Sequence, residues 1–418
     1  AYHFAGLMHV AGISKSMDSI ELTLELTNGN RVKKQFWLRQ NNNKTLDFQA
    51  PESVNTSLYR QQQDQYQWFT YLEKEQAIYL RYALLIEKTP GDINRLTAQL
   101  VQFLNSHNVQ KLIIDERDNG GGDSFFNAPL INAIANNPSI NQRGKLFVLT
   151  NHNTFSAAIN FAGNMAVKTR ALFVGEKVAD RATFAGEVGP QARHSLPNSG
   201  IVVSLSFSEW NSTYDNDQRD AVSLDIPVTL TLKDFLSGRD PVLQACLHYS
   251  PRKVQAATPD NYASWVGRYD YSPDKALKIY EKDGELHMEV TEWIFSGLHP
   301  HSKNTLKTDL TGVELTRLPN GNIEFRQPNS KKRILHRLGD DQLKPLELLV
   351  SGQFDAAKAA YQKVHDENPK LLSIRGNSLG ILASHIRARY SSTQYYDQLR
   401  AIAISLYGDP IASWDSDE

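Results

Sequence analysis

Residues 76–250 alternate strand-like and helix-like segments, and this alternation restricts the fold more than any other feature of the chain. Ala77–Leu85 reads as a strand. Pro90-Gly91-Asp92 opens a helix to about Asn105, with Ile93, Leu96, Leu100, Phe103 and Leu104 on one face. Lys111–Asp115 holds Leu112-Ile113-Ile114, the uniformly apolar pattern of a strand covered on both sides. A helix with Leu130, Ile131 and Ile134 follows, then the strand Lys145–Thr150, an alanine-rich helix over Ser156–Lys168, and strands at Ala171–Val174 and Ile201–Phe207. Strands joined through helices imply right-handed crossovers and a mainly parallel sheet, so the central class is α/β.

The flanks follow other rhythms. Residues 1–75 read as a β-rich segment: Ile20, Leu22, Leu24 and Leu26 alternate with polar residues, Asn28-Gly29 is a hairpin signal, and Val32–Leu38 is the return strand. Residues 40–66 are rich in Asn, Gln and Ser and read as a loop. After the 76–250 core, residues 251–258 read as a linker, and 260–338 as a small all-β domain of barrel type, with turns at Asp283-Gly284, Asn304 and Asn320-Gly321-Asn322. Residues 343–414 turn helical, with candidate helices at Leu346–Ser351, Asp355–Glu367, Ser373–Tyr390 and Tyr395–Leu406. Gly352-Gln353-Phe354-Asp355-Ala356-Ala357, with Tyr361 and Pro369, resembles a tetratricopeptide hairpin. One such unit is too few for a free solenoid, so it is expected to cap the rest of the chain or to meet a protein partner.

Composition removes several classes of function. Lys+Arg is 45 and Asp+Glu is 46, which lacks the clustered positive charge that phosphate backbones require and argues against a nucleic-acid partner. No run of 18 apolar residues offers a membrane span. Cys246 is the sole cysteine, so an intrachain disulfide and multi-cysteine metal centres are excluded. Asp215, Asp217 and Asp220 lack the glycine and terminal glutamate of a calcium loop. His299-Pro300-His301 has no third ligand in view, and Lys331-Lys332-Arg333 reads as a charged strand edge.

Two segments carry chemistry. Asp115-Glu116-Arg117-Asp118-Asn119-Gly120-Gly121-Gly122 runs a buried strand into three glycines. Glycines admit a bound group close to the backbone, whose amides then face an anion or oxyanion; the same residues also suit a plain tight turn. In Thr150-Asn151-His152-Asn153-Thr154-Phe155-Ser156-Ala157-Ala158, Ser156 opens a helix at the carboxyl ends of the strands, where α/β sheets place their sites. Its hydroxyl is either a reactive group favoured by the helix dipole or an ordinary N-cap.

Together these segments resemble the S41 peptidases, the tail-specific or C-terminal processing group with its tricorn-like relatives, over about residues 58–247. Asp115 to Gly122 follows the family's D-x-R-x-N-x-G-G pattern, Thr154-Phe155-Ser156-Ala157-Ala158 its nucleophile segment, and Val174-Gly175-Glu176 its V-G-E. Leu196-Pro197-Asn198-Ser199-Gly200 and Gly238-Arg239-Asp240-Pro241-Val242-Leu243 match later segments of the branch without an obvious PDZ domain. The resemblance implies a ClpP/crotonase-like core and a serine peptidase that needs no cofactor. It implies Ser156 as the nucleophile and the amides of Gly121 or Gly122 and of Ala157 as the oxyanion donors. Export to the periplasm or beyond is a further expectation, with which a chain starting at Ala1 is compatible.

The departures concern the base. Arg181 stands where the processing branch has its lysine, and a guanidinium stays charged near neutrality. Gly175-Glu176-Lys177-Val178-Ala179-Asp180 replaces the branch's G-E-P-T-G-G, so Lys177 serves as base only if the turn has shifted. Tricorn-like members take a histidine from upstream, where His3 and His9 stand without a motif; His152 and His194 are nearer the core. Glu187, after Phe184-Ala185-Gly186, matches the glutamate of the family's Y-G-E segment and is either a cleft residue or a solvated carboxylate. Tyr79 and Tyr82 either line the cleft or fill the core. Two functions follow: a peptidase of peptides or protein tails acting through Ser156, or a peptide-binding pseudo-protease that keeps the cleft without turnover.

Overall fold

Asn28-Gly29 forms the hairpin that it signals. β1 (Ser19–Glu25) and β2 (Arg31–Trp37) pair antiparallel with Leu24 opposite Val32, and Gly29 supplies the positive φ of the turn, +80°. The structure is a computed structural model. It describes residues 57–186, 193–250 apart from 199, 201, 207 and 216, and 262–408 apart from 311 and 391; before these, it describes 9, 12, 14–16, 19–26 and 28–37. The chain falls into two units, Ala1–Asn55 and Thr56–Glu418. In the first, the stripe Leu22, Leu24 and Leu26 is 37–44% exposed rather than half-buried, since a two-stranded ribbon has no second layer to cover it. Of the loop expected at 40–66, residues 40–56 lie outside the described residues while 57–66 include a short 3-10 turn, Leu58–Arg60; the linker expected at 251–258 lies outside them.

The second unit holds a six-stranded sheet of order β12-β7-β6-β5-β4-β3, formed by β3 (Gln67–Leu72), β4 (Ala77–Tyr82), β5 (Lys111–Asp115), β6 (Leu146–Thr150), β7 (Leu172–Gly175) and β12 (Ile226–Pro227). All pairings are parallel except that of β3, an antiparallel edge strand that takes the sheet upstream of residue 76. The apolar face read for residues 92–105 packs as α1 (Asp92–Ser106), joined by α2 (Asn127–Ala135) and α3 (Ala157–Lys168), over Ile78, Leu80, Leu112, Ile114 and Val148. Side chains of the opposite parity, Tyr79, Ile113, Phe147 and Val174, meet Val242, Leu243 and Cys246. Burial on both faces explains the unbroken apolar runs of these strands.

The strand expected at 201–207 does not join this sheet. β9 (Arg193–Ser195) and β10 (Val202–Ser204) form a local hairpin, and β8 (Thr183–Gly186) pairs with β11 (Ser208–Asn211). Ile226–Pro227 takes the edge beside β7 because Asp225 holds Phe173 twice: its amide donates to the Phe173 carbonyl and its carboxylate accepts the Phe173 N–H, each at 2.9 Å. Two short helices complete the core, α4 (Leu232–Leu236), capped reciprocally by Thr231 and Asp234, and α5 (Pro241–Leu247), capped by Asp240.

Residues 267–335 form an eight-stranded antiparallel meander from β13 (Gly267–Asp270) to β20 (Arg333–Leu335). It nearly closes on itself, since Asp270 N–H donates to the His336 carbonyl and Leu338 N–H to the Arg268 carbonyl, both at 2.8 Å. The terminal helices α6 (Pro345–Val350), α7 (Phe354–Glu367), α8 (Gly376–Tyr390) and α9 (Gln394–Tyr407) share one apolar cluster with that sheet, through Leu346, Tyr361, Leu382 and Leu399 among others. The core is tied in through α3: its last residue, Lys168, donates to the Glu292 carbonyl at 3.2 Å and stands 4.5 Å from the Trp293 ring. Burial brings this amine down to about 7. Among the described residues, no helix is long and apolar enough to cross a membrane.

Candidate active site

The turn after β5 is held from below by a buried ion network. Arg117 Nε donates to both Asp115 oxygens at 3.0 and 3.1 Å, and Nη1 and Nη2 donate to the two Asp240 oxygens at 2.9 and 2.7 Å. Tyr79 Oη donates to Asp115 at 2.8 Å, and the guanidinium of Arg117 stacks 4.1 Å from the Tyr59 ring. Burial opposes the charge on Asp115, but Arg117 and, more weakly, Arg81 outweigh it and hold the carboxyl below the usual carboxylate range. Asp240 also accepts Leu243 N–H, so the same carboxylate caps α5. Thus the D-x-R element and the Gly-Arg-Asp-Pro element, 123 residues apart for Arg117 and Asp240, are one structural clamp.

Above the clamp, Asn119 sets the glycine turn. Its Nδ2 donates to the Tyr82 carbonyl at 2.8 Å, its Oδ1 accepts Gly121 N–H at 2.9 Å, and its carbonyl accepts Phe155 N–H at 2.9 Å. The third bond places the glycines against the residue that precedes Ser156. Gly121 lies so close that a Cβ there would stand 2.7 Å from Ser156 Cβ. At Gly122 (φ +136°) a Cβ would stand 2.1 Å from the Leu85 carbonyl oxygen. Leu85 bonds Gly121 O and Asp123 N, so Gly122 N–H points away from Leu85.

Ser156 starts α3 at φ +57°, ψ −126°, a region that non-glycine residues occupy at a cost of about 1–3 kcal/mol. It makes no capping hydrogen bond, so the ordinary N-cap reading is not what the structure shows. The amides of Gly122 and Ala157 have no acceptor among the described residues, while that of Gly121 is taken by Asn119. Ser156, half-buried, thus stands at the positive end of a helix beside two N–H groups without acceptors, an arrangement able to hold an oxyanion.

The residues read as candidate bases are placed differently. Lys177 is 66% exposed, with its ammonium on Asp220 at 2.9 Å. Arg181 is exposed, and Glu187 and His3 lie outside the described residues. His194 is exposed on β9, and His9 belongs to the other unit. Tyr79 and Tyr82 are core residues, fully buried, with Tyr82 Oη bonded to Asn127 Oδ1 at 3.2 Å. Asp217 and Asp220 turn to different cations, Arg219 and Lys177. His299 bonds Asp309 at 2.7 Å. His152 Nδ1 lies 2.9 Å from Glu176 Oε2, within reach to donate to it, on the turn leading to Ser156.

Sequence reasoning passed over Glu116, the x of D-x-R. It is fully buried, and neither carboxylate oxygen has a hydrogen-bond partner among the described residues. Burial, then the adjacent Asp115, push its carboxyl well above the usual range, with Arg81 acting weakly the other way. In the folded state Glu116 therefore keeps a proton that the unfolded chain loses above about pH 4.3. Its contribution to stability is full below that value and is progressively lost as pH rises towards the folded value. Melting temperatures of Glu116→Gln and the native chain, measured from pH 4 to 8, are expected to move in the variant's favour as pH rises; parallel curves would show that Glu116 ionises normally.

No protein-family model matches the chain. It is 26% identical over 155 residues to the tricorn protease of Thermoplasma acidophilum, a match covering 33% of this chain and 14% of that protein. The chain thus spans about one seventh of the length of this curated relative. Similar solved structures include a candidate S41 protease from Bacteroides fragilis, 14% identical, with 55% of this chain and 64% of that one covered and a TM-score of 0.32. They also include the photosystem II D1 C-terminal processing protease (17% identical, 56% and 64% covered, TM-score 0.30) and mature CPAF complexed with lactacystin (13%, 55% and 67%, 0.34). Proteases, one of them named as an S41 protease, thus recur among the proteins to which this chain is similar, beside a lipoprotein from Streptococcus agalactiae.

Proposed function

We propose that the chain is a serine-type peptidase with a ClpP/crotonase-like core, cleaving peptides or protein tails through Ser156. The observation that carries this reading is the placement of Ser156. Its strained backbone, its hydroxyl without a capping bond and the free amides of Gly122 and Ala157 have no use in a plain turn. The tricorn match supports the same reaction class. In this mechanism Ser156 Oγ adds to the scissile carbonyl carbon and the two amides bind the oxyanion. The amine leaves with a proton, and water then releases the acyl group from the serine. Each amide is worth about 3 kcal/mol in the transition state.

Labelling with a fluorophosphonate probe tests the reading. The native chain is expected to label at Ser156 and Ser156→Ala not at all, with peptide hydrolysis lower by about 10³-fold or more in the variant. A folded native chain that resists the probe points instead to a peptide-binding pseudo-protease, a reading that Arg181 and the ion-paired Lys177 favour.

A further inference from the structure

A serine needs a base, and one pair of residues at this site has the form of one. β5, β6 and β7 are neighbours in the parallel sheet, and the segments leaving their carboxyl ends carry Gly122, then His152 with Ser156, then Glu176. His152 stands at the tip of a turn closed by Thr154 N–H to the Asn151 carbonyl at 2.9 Å. Four residues after His152, the same segment reaches Ser156. The imidazole is 74% exposed, and its Nδ1 lies 2.9 Å from Glu176 Oε2. Glu176 is itself fixed at the end of β7: its N–H donates to the Thr150 carbonyl at 3.0 Å, and its carbonyl accepts Thr150 Oγ1 at 2.7 Å.

We propose that His152 is the general base of Ser156 and that Glu176 is the positioning residue that orients it. The inference rests on the peptidase reading and names residues within that site. With Nδ1–H donated to the carboxylate, Nε2 is left as the acceptor. Nε2 takes the proton of Ser156 Oγ as the Oγ–C bond forms, then passes it to the amine as the C–N bond breaks. In the second half it takes a proton from water as the water oxygen adds to the acyl carbon, and returns it to Ser156 Oγ as the ester bond breaks. Imidazole and hydroxyl are not hydrogen-bonded in the structure. In a free enzyme such bonds are often long and tighten with substrate, and both groups stand on one five-residue segment in which His152 is exposed, Thr154 buried and Ser156 half-buried. The rival cations are unsuited, since Arg181 stays charged and the Lys177 ammonium is held by Asp220.

The test is the rate of fluorophosphonate labelling, followed in the full chain for the native protein, His152→Ala and Glu176→Gln, with circular dichroism as a folding control. Labelling of His152→Ala is expected to fall about 10²-fold or more, and added imidazole to restore part of it. Glu176→Gln is expected to slow labelling less, with Glu176→Asp recovering some of the loss. If native Ser156 labels and His152→Ala labels within about threefold of it, the base assignment is overturned while the peptidase reading stands. A loss in His152→Ala that imidazole does not rescue in a folded variant also overturns it, since that loss is structural. A native chain that does not label overturns both.

Discussion

Arg117→Met is expected to lower stability by about 3–5 kcal/mol at pH 7, read from denaturant unfolding. The guanidinium is 3% exposed and neutralises two carboxylates that are themselves sealed, Asp115 at 0% and Asp240 at 6%. Methionine fills much of the same volume but leaves both acids short of partners. Asp115 retains Tyr79 Oη, the backbone N–H of residue 117 and Arg81 at 3.7 Å; Asp240 retains Leu243 N–H. Their remaining charge must then be buried unpaired or neutralised by protons. The pH dependence follows from the depressed carboxyl of Asp115. In the native chain the stability owed to that charge is present above the unfolded value, near 3.9, and lost as pH falls through the lower folded value. The variant's deficit is therefore expected to be full from pH 7 down to about pH 4 and to shrink only as pH falls below that. Arg117→Lys keeps a charge but not the fork that meets two carboxylates, so an intermediate loss is expected. A loss below about 1 kcal/mol for the methionine variant at pH 7 would show that the clamp does not hold the turn.

Gly122→Ala is expected to damage both stability and labelling. A Cβ at that position meets the Leu85 carbonyl oxygen at 2.1 Å and the Leu85 carbonyl carbon at 2.5 Å, and both are backbone atoms with no rotamer to escape into. The positive φ of +136° adds strain of about 1–3 kcal/mol on its own. Relief requires moving the glycine segment away from Leu85, which displaces the Gly122 amide assigned to the oxyanion. Loss of one such donor lowers acyl transfer by about 10²–10³-fold, and the labelling rate is expected to follow. Gly120→Ala is the control, since nothing lies within 4 Å of its Cβ and a change of under about 0.5 kcal/mol is expected. Equal behaviour of the two alanine variants would remove Gly122 from the site.

Legibility differed by element. Lys111–Asp115 was readable to the residue because a central parallel strand must be apolar on both faces. The helix after Ser156 was readable because alanine-rich helical spacing follows a turn, and it runs Ala157–Lys168. The strand at 201–207 was misplaced because short β propensity does not say which edge a strand joins; Asp225, anchoring Phe173, decided that. At the site, the motif named Ser156 and the glycines but did not separate Gly121 from Gly122. The Asn119 side chain does so, by occupying one amide and leaving the other.

Local pattern alone determined the α/β core, the all-β stretch, the helical end and the position of the serine, because periodicity, turn residues and caps act over a few neighbours. Long-range contacts decided the rest. Arg117 joins Asp115 to a carboxylate 123 residues away, and His152 meets Glu176 across two strand ends. Lys168 reaches the barrel-like sheet through Glu292 and Trp293. A charge or an imidazole takes its role from the groups that burial and sheet order place within a few ångströms of it, and those groups are set only when the strands pair.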